Sequence, residues 1–97
     1  MWVVTKKTLR EFWERYPDAR RPLLDWYQAV ERADWNAPHQ VTARFANASV
    51  LRNNRVVFNI KGNTYRLVVH IRYQHHKVYI RFIGTHVEYD SINAEEV

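Results

Sequence analysis

The sequence predicts an α+β fold: an N-terminal strand and a helical hairpin packed on an antiparallel β-meander. Three observations carry this. Apolar residues recur at helical spacing through the first third of the chain, and alternate with polar ones at period two through the last half. A Gly-Asn pair between two such alternating runs marks a tight hairpin. Ninety-seven residues then fit one domain, 1–97.

The elements follow in order. Met1 to Thr5 reads as a short opening strand. From Thr8 to Tyr16 the pattern is helical, with Leu9, Phe12, Trp13 and Tyr16 at i, i+3, i+4 and i+7, and Pro17 stops it. Asp18 is the expected N-cap of a second helix, with Pro22 in its first turn and Leu23, Trp26, Tyr27 and Val30 on one stripe. Aromatic stripes at this spacing read as core. Pro38 to Phe45 suits a short helix, followed by a loop at Ala46–Ser49. Arg55 to Lys61, Thr64 to Arg72 and Lys77 to Thr85 read as strands, joined at Gly62-Asn63 and by a looser turn at Gln74-His75-His76.

Composition narrows the function. There is no cysteine, which excludes disulfides, thiolate metal sites and a cysteine nucleophile. The apolar runs are far shorter than the ~20 residues that span a bilayer, and Lys6-Lys7 directly follows the apolar start. A soluble, cytoplasmic protein is expected. Fifteen Lys and Arg against ten Asp and Glu give a net charge of +5, which favours a polyanionic partner.

Strand register decides whether that charge is gathered. Setting Lys61 opposite Thr64 pairs Asn59 with Arg66 and Val57 with Val68 on one face, and Ile60 with Tyr65, Phe58 with Leu67 and Val56 with Val69 on the other. Setting Arg72 opposite Lys77 pairs Ile71 with Val78, Val69 with Ile80 and Leu67 with Phe82. The second face is apolar and expected to lie under the helices. The first carries Arg55, Asn59, Lys61, Arg66, His70, Arg72, Lys77, Tyr79 and Arg81, with Val57, Val68 and Ile83 between them. No Asp or Glu interrupts those strands. A plain solvated face is one reading; a single-stranded RNA surface, with Tyr79 and His70 stacking on bases, is the other.

The chain closes on Gly84-Thr85-His86-Val87-Glu88-Tyr89-Asp90. RNA is cleaved without a metal when a base deprotonates the 2′-hydroxyl, cations stabilise the phosphorane and an acid protonates the leaving 5′-oxygen. A histidine titrates in the range both proton transfers need. Arginine supplies a permanent planar fork for the phosphorane oxygens. Arg66, Arg81, His86 and Tyr89 are therefore the candidate catalytic set, although His86 taken alone is an ordinary turn histidine. His75-His76 has no third ligand at coordinating spacing, so neither a metal site nor a cofactor is expected.

Three stretches, Asn54 to Asn63, Tyr65 to Val69 and Ile83 to Asp90, together with Thr5 to Trp13, resemble the HigB family, toxins of type II toxin–antitoxin systems within the RelE-like group. The resemblance covers nearly the whole chain and rests on the order and combination of these motifs. It implies a RelE-like two-layer fold and an mRNA interferase that cuts message on the translating ribosome. It also implies a helix-turn-helix antitoxin partner, HigA-like, with a monomer alone and a hetero-oligomer in complex. Arg66 matches an arginine that contacts the scissile phosphate, and His86 falls where relatives carry arginine or histidine. Tyr89 matches a C-terminal tyrosine, while Lys61 is an approximate match to basic residues of the second strand. The same fold also hosts ParE-type gyrase inhibitors, so a non-catalytic toxin or an RNA-binding module is the alternative.

Overall fold

In the computed structural model, which describes residues 1–97, the chain runs through eleven short elements. They are β1 (Trp2–Val4), α1 (Lys6–Arg15), a 3-10 turn (Pro17–Ala19), α2 (Arg20–Arg32), α3 (Pro38–Arg44), β2 (Ser49–Val50), β3 (Arg55–Ile60), β4 (Tyr65–Arg72), a second 3-10 turn (Tyr73–His75), β5 (Lys77–Thr85) and α4 (His86–Asp90). Five strands form one sheet in the order β1-β5-β4-β3-β2. The fold is α+β, as the periodicities predict, but the sheet is mixed. β1 lies parallel to β5, with Val3 beside Val78, and Ser49, expected at the end of a loop, forms with Val50 an edge strand paired with β3.

The helical stripes point where their spacing requires. Leu9 and Phe12 of α1, Leu23, Trp26 and Val30 of α2 and Val41 of α3 are buried against Val56, Phe58, Ile60, Leu67, Val69, Ile71, Val78 and Ile80 of the sheet. Edge-to-face contacts lock this layer: Trp26 and Phe45 meet Phe58 at ring separations of 5.4 and 5.1 Å, and Phe12 meets Tyr65 at 5.2 Å. Burying a large side chain of this kind contributes roughly 1.5–3 kcal/mol.

Asp18 is not an N-cap. It lies inside the 3-10 turn, and α2 has no side-chain cap. Its carboxylate instead accepts hydrogen bonds from the Tyr65 hydroxyl and the Lys61 ammonium, both at 2.5 Å. Those bonds hold the acid below its usual range, the Lys61 contact first and the Tyr65 contact second. The same bond to Asp18, aided by burial, pushes the Tyr65 phenol up to about 12.

The first hairpin keeps the predicted register, Asn59 opposite Arg66 and Ile60 opposite Tyr65. Its turn takes in four residues, 61–64, and Lys61 and Gly62 both adopt positive φ. The second hairpin holds its register from Arg72–Lys77 to Val69–Ile80, then slips at a β-bulge. Beyond it Leu67 faces Ile83 rather than Phe82, and Val68 faces Phe82. One extra residue reverses the alternation. Ile83, expected on the polar face, packs against the main core, and Phe82 joins the opposite face.

Candidate nucleic-acid interface

The polar face of the sheet is organised in cross-strand rows. Arg72 faces Lys77; Arg55, His70 and Tyr79 form the next row; Val57, Val68 and Phe82 the next; Asn59, Arg66 and Gly84 the last. The third row is not solvated. Val57 and Val68 are buried with Ala94 in a second apolar cluster that also takes in Leu51, Phe82, Tyr89, Ile92 and Val97. The residues after β5 fold back over the middle of the face and divide it in two.

One half, toward the hairpin turn, holds Asn59, Arg66 and the start of α4. That helix is fixed by a reciprocal capping pair: the Thr85 hydroxyl accepts from the Glu88 amide at 3.2 Å, and the Glu88 carboxylate accepts from the Thr85 amide at 2.8 Å. His86 opens α4, and its Nδ1 lies 3.1 Å from the Asp90 carboxylate one turn on. The His86 side chain is exposed there. Arg66 donates through Nη1 to the Asn63 carbonyl of the turn at 2.8 Å. Gly84 lies opposite Arg66, at a position where a Cβ would come within 2.5 Å of the Phe82 ring and 3.0 Å of the Glu88 carboxylate.

The other half holds Arg55, His70, Arg72, Lys77, Tyr79 and Arg81. Two guanidiniums from different strands converge on one acceptor. Arg55 donates through Nε and Nη2 to the main-chain oxygen of Val97 at 3.2 and 2.8 Å, and Arg81 donates through Nε to the same oxygen at 3.0 Å. Asn53 reinforces this by donating to the Glu95 carbonyl at 3.2 Å. The His70 and Tyr79 rings lie 6.1 Å apart at an interplanar angle of 33°. Burial, followed by the charges of Arg55, Arg81 and Arg72, holds His70 below its ordinary value of 6.5. An open cavity of about 500 Å³ adjoins it, lined by Asn54, His70, Arg72, Tyr73, Gln74 and His75.

Of the residues singled out in the sequence, Arg66 and His86 share one half, while Arg81 lies in the other. Tyr89 is half-buried in the apolar cluster between them. Lys61 leaves the face, because its position in the turn carries it toward Asp18. The six cations expected there become five. His76 pairs with Asp34 at 3.0 Å, and no three His, Cys, Asp or Glu side chains converge anywhere in the chain. No helix is long and apolar enough to cross a membrane. The covering role of Ile92, Ala94 and Val97 escaped sequence reasoning because so short an apolar series has no period. α4 did carry a signal, the Thr-x-x-Glu of Thr85 and Glu88.

Comparison with known proteins agrees with this architecture. The "mRNA interferase toxin HigB" of Escherichia coli K12 is 29% identical over 96 residues, covering 97% of this chain and 92% of that one. The "mRNA interferase HigB" of Shigella flexneri matches to the same extent. That of Escherichia coli O6:H1 is 24% identical over 94 residues, covering 95% of this chain and 91% of its own. A profile described as HigB toxin, the RelE-like toxic component of a toxin–antitoxin system, matches residues 19–92. The chain belongs to the HigB toxin family.

Proposed function

We propose that this toxin is a metal-independent endoribonuclease that cuts messenger RNA on the translating ribosome, by attack of a 2′-hydroxyl on the adjacent phosphate, and so inhibits translation. The observation that carries the reading is the one-signed sheet face. Arg55, Arg66, Arg72, Lys77 and Arg81 share it, and β3, β4 and β5 contain no acidic residue. Such a surface draws the phosphodiester backbone by counterion release, and the rings of His70 and Tyr79 suit stacking on unpaired bases. The relatives' shared name, mRNA interferase, supports the choice of reaction.

Four side chains are proposed for the chemistry. Arg66 and Arg81 are suited to the charge that develops on the phosphorane. His86, with Nδ1 held by Asp90, is suited to proton transfer through Nε2. Tyr89 stands near it on the same short helix. Arg55, Asn59, His70, Arg72, Lys77 and Tyr79 are proposed to bind RNA, with Lys61 at the margin. A helix-turn-helix antitoxin, HigA-like, is the proposed partner, joining a monomeric toxin in the cytoplasm. Primer extension on a message under translation tests the reading, with wild type beside Arg66→Ala and His86→Ala. New cuts with wild type that weaken in the variants are expected. Inhibited DNA supercoiling without any RNA cut would overturn the nuclease reading.

A further inference from the structure

β1 adds a strip to the polar face that the three-strand meander does not contain. Its parallel register sets Trp2 beside Lys77, Val3 beside Val78 and Val4 beside Tyr79. Residues paired in register point to the same side of a sheet, and neighbours along a strand to opposite sides. Val3 packs against the main core, where Val78 is buried, so Trp2 belongs to the other side. Lys77 in turn faces Arg72 on β4. The face therefore has one further row, Trp2–Lys77–Arg72, at the end away from Arg66. Six residues of β4 separate Arg66 from Arg72, about 20 Å at strand rise.

The members of this row differ from their counterparts elsewhere. Trp2 is 70% exposed, whereas Trp26 and Trp35 are buried and Trp13 is half-buried. Indoles contribute most when they are covered, and one left open on a sheet face is suited to a partner. Lys77 and Arg72 are exposed and belong to none of the chain's ion pairs. The other cations singled out for the face are engaged: Arg66 with Asn63, Arg55 and Arg81 with Val97, and Lys61 with Asp18. Two acidic residues border the β1 edge, and both have partners. Glu31, which with Trp2 lines an open cavity of about 330 Å³, accepts from the Tyr27 hydroxyl at 3.1 Å. Asp34 pairs with His76, whose carbonyl accepts from the Trp2 amide.

We infer that Trp2 is an RNA-binding residue that stacks on an unpaired base of the message, with Lys77 and Arg72 holding the flanking phosphates. The inference rests on the RNA reading of the sheet face and adds a contact to it, about 20 Å from Arg66 at strand rise. The chemistry of the row fits a nucleotide on both counts. Every base has a flat π-face that an indole can cover, and free cations beside it draw the backbone by counterion release. The row also continues the rings already on the face, since Tyr79 and His70 form the next row with Val4. A protein contact centred on this indole would call for apolar neighbours, and in its own row it has a lysine and an arginine.

The test measures fluorescence anisotropy of a labelled single-stranded 2′-O-methyl RNA, which resists cleavage, with wild type, Trp2→Ala, Trp2→Phe and Lys77→Ala. Trp2→Ala is expected to weaken binding about 5- to 150-fold, the worth of one stacked base. Trp2→Phe keeps a ring and should stay within about threefold of wild type. Salt separates stacking from charge. Lys77→Ala should lower the slope of log affinity against log salt by about 0.7, and Trp2→Ala should leave it unchanged. An abasic residue moved along the RNA should find one position that weakens wild type as Trp2→Ala does, and that costs Trp2→Ala nothing further.

RNA affinity unchanged in Trp2→Ala would overturn the inference, and weaker association of that variant with the antitoxin would then make Trp2 a protein contact. An equal loss in Trp2→Phe, or abasic losses that simply add to that of Trp2→Ala, would remove the stacking role. If Trp2→Ala fails to fold, Trp2→Leu takes its place, being apolar but without a ring. Failure of the RNA reading itself looks different: wild type binds no RNA at low salt, and Lys77→Ala has nothing to weaken.

Discussion

The two halves of the polar face are built from the same strands and carry the same sign of charge, yet they are arranged differently. Near the hairpin turn, Arg66 and His86 each satisfy a local partner, the Asn63 carbonyl and the Asp90 carboxylate. Near the other end, Arg55 and Arg81 reach across strands to one shared oxygen, with a half-buried histidine beside them. In one half the cations are held by their own turn or helix, and in the other by the C-terminal segment. What separates the halves is an apolar cluster where the strand pattern expected open polar sheet.

Variants that break this division are expected to act in a definite order. Val68→Asp puts a carboxylate in the dividing cluster, at a residue with 0% exposure. It should destabilise by about 3–5 kcal/mol in urea unfolding, as an unpaired buried charge does. A solvated face would tolerate it. Gly84→Ala presses a methyl group on Phe82, which the cluster holds in place, and should cost about 1–3 kcal/mol in the same experiment. Thr85→Ala removes the cap of α4 and should cost about 1 kcal/mol. That loss should fall on the His86 half, seen as faster amide exchange in residues 86–90 and little change in β4.

The smallest effect concerns pH. Asp18 is held below its ordinary 3.8 in the folded chain, so the unfolded chain binds the proton more readily. Its contribution is present above that ordinary value and lost as pH falls through the lower folded value. Asp18→Asn should flatten the acidic side of the stability curve without altering either half of the face.

The core face was legible because period-two alternation leaves no other place for Phe58, Leu67 and Val69. The first hairpin was legible because Gly62 permits a tight turn with positive φ, which fixes Asn59 opposite Arg66. The second was legible only as far as Val69 and Ile80. A bulge at Arg81-Phe82 has no local signature here, since both residues suit a strand in either register. Parallel pairing of β1 with β5 joins segments about 75 residues apart, and no local pattern reports such a contact. The candidate site followed the same rule. Residue types and their face were readable from the strands, but which of them converge depended on the bulge and on Ile92, Ala94 and Val97 folding back. Sequence reasoning therefore placed Arg81 beside Arg66, whereas the structure sets the two on either side of the apolar cluster.

The most direct test compares Arg66→Ala with Lys77→Ala in single-turnover cleavage of a translated message, each beside its affinity for uncleavable RNA. If the reacting phosphate sits at Arg66, Arg66→Ala loses ~10²-fold or more in rate, the scale of removing an oxyanion donor. Lys77→Ala, a proposed RNA contact, should then lose rate only in step with affinity. The reverse pattern, with the larger rate loss at Lys77, would contradict the account.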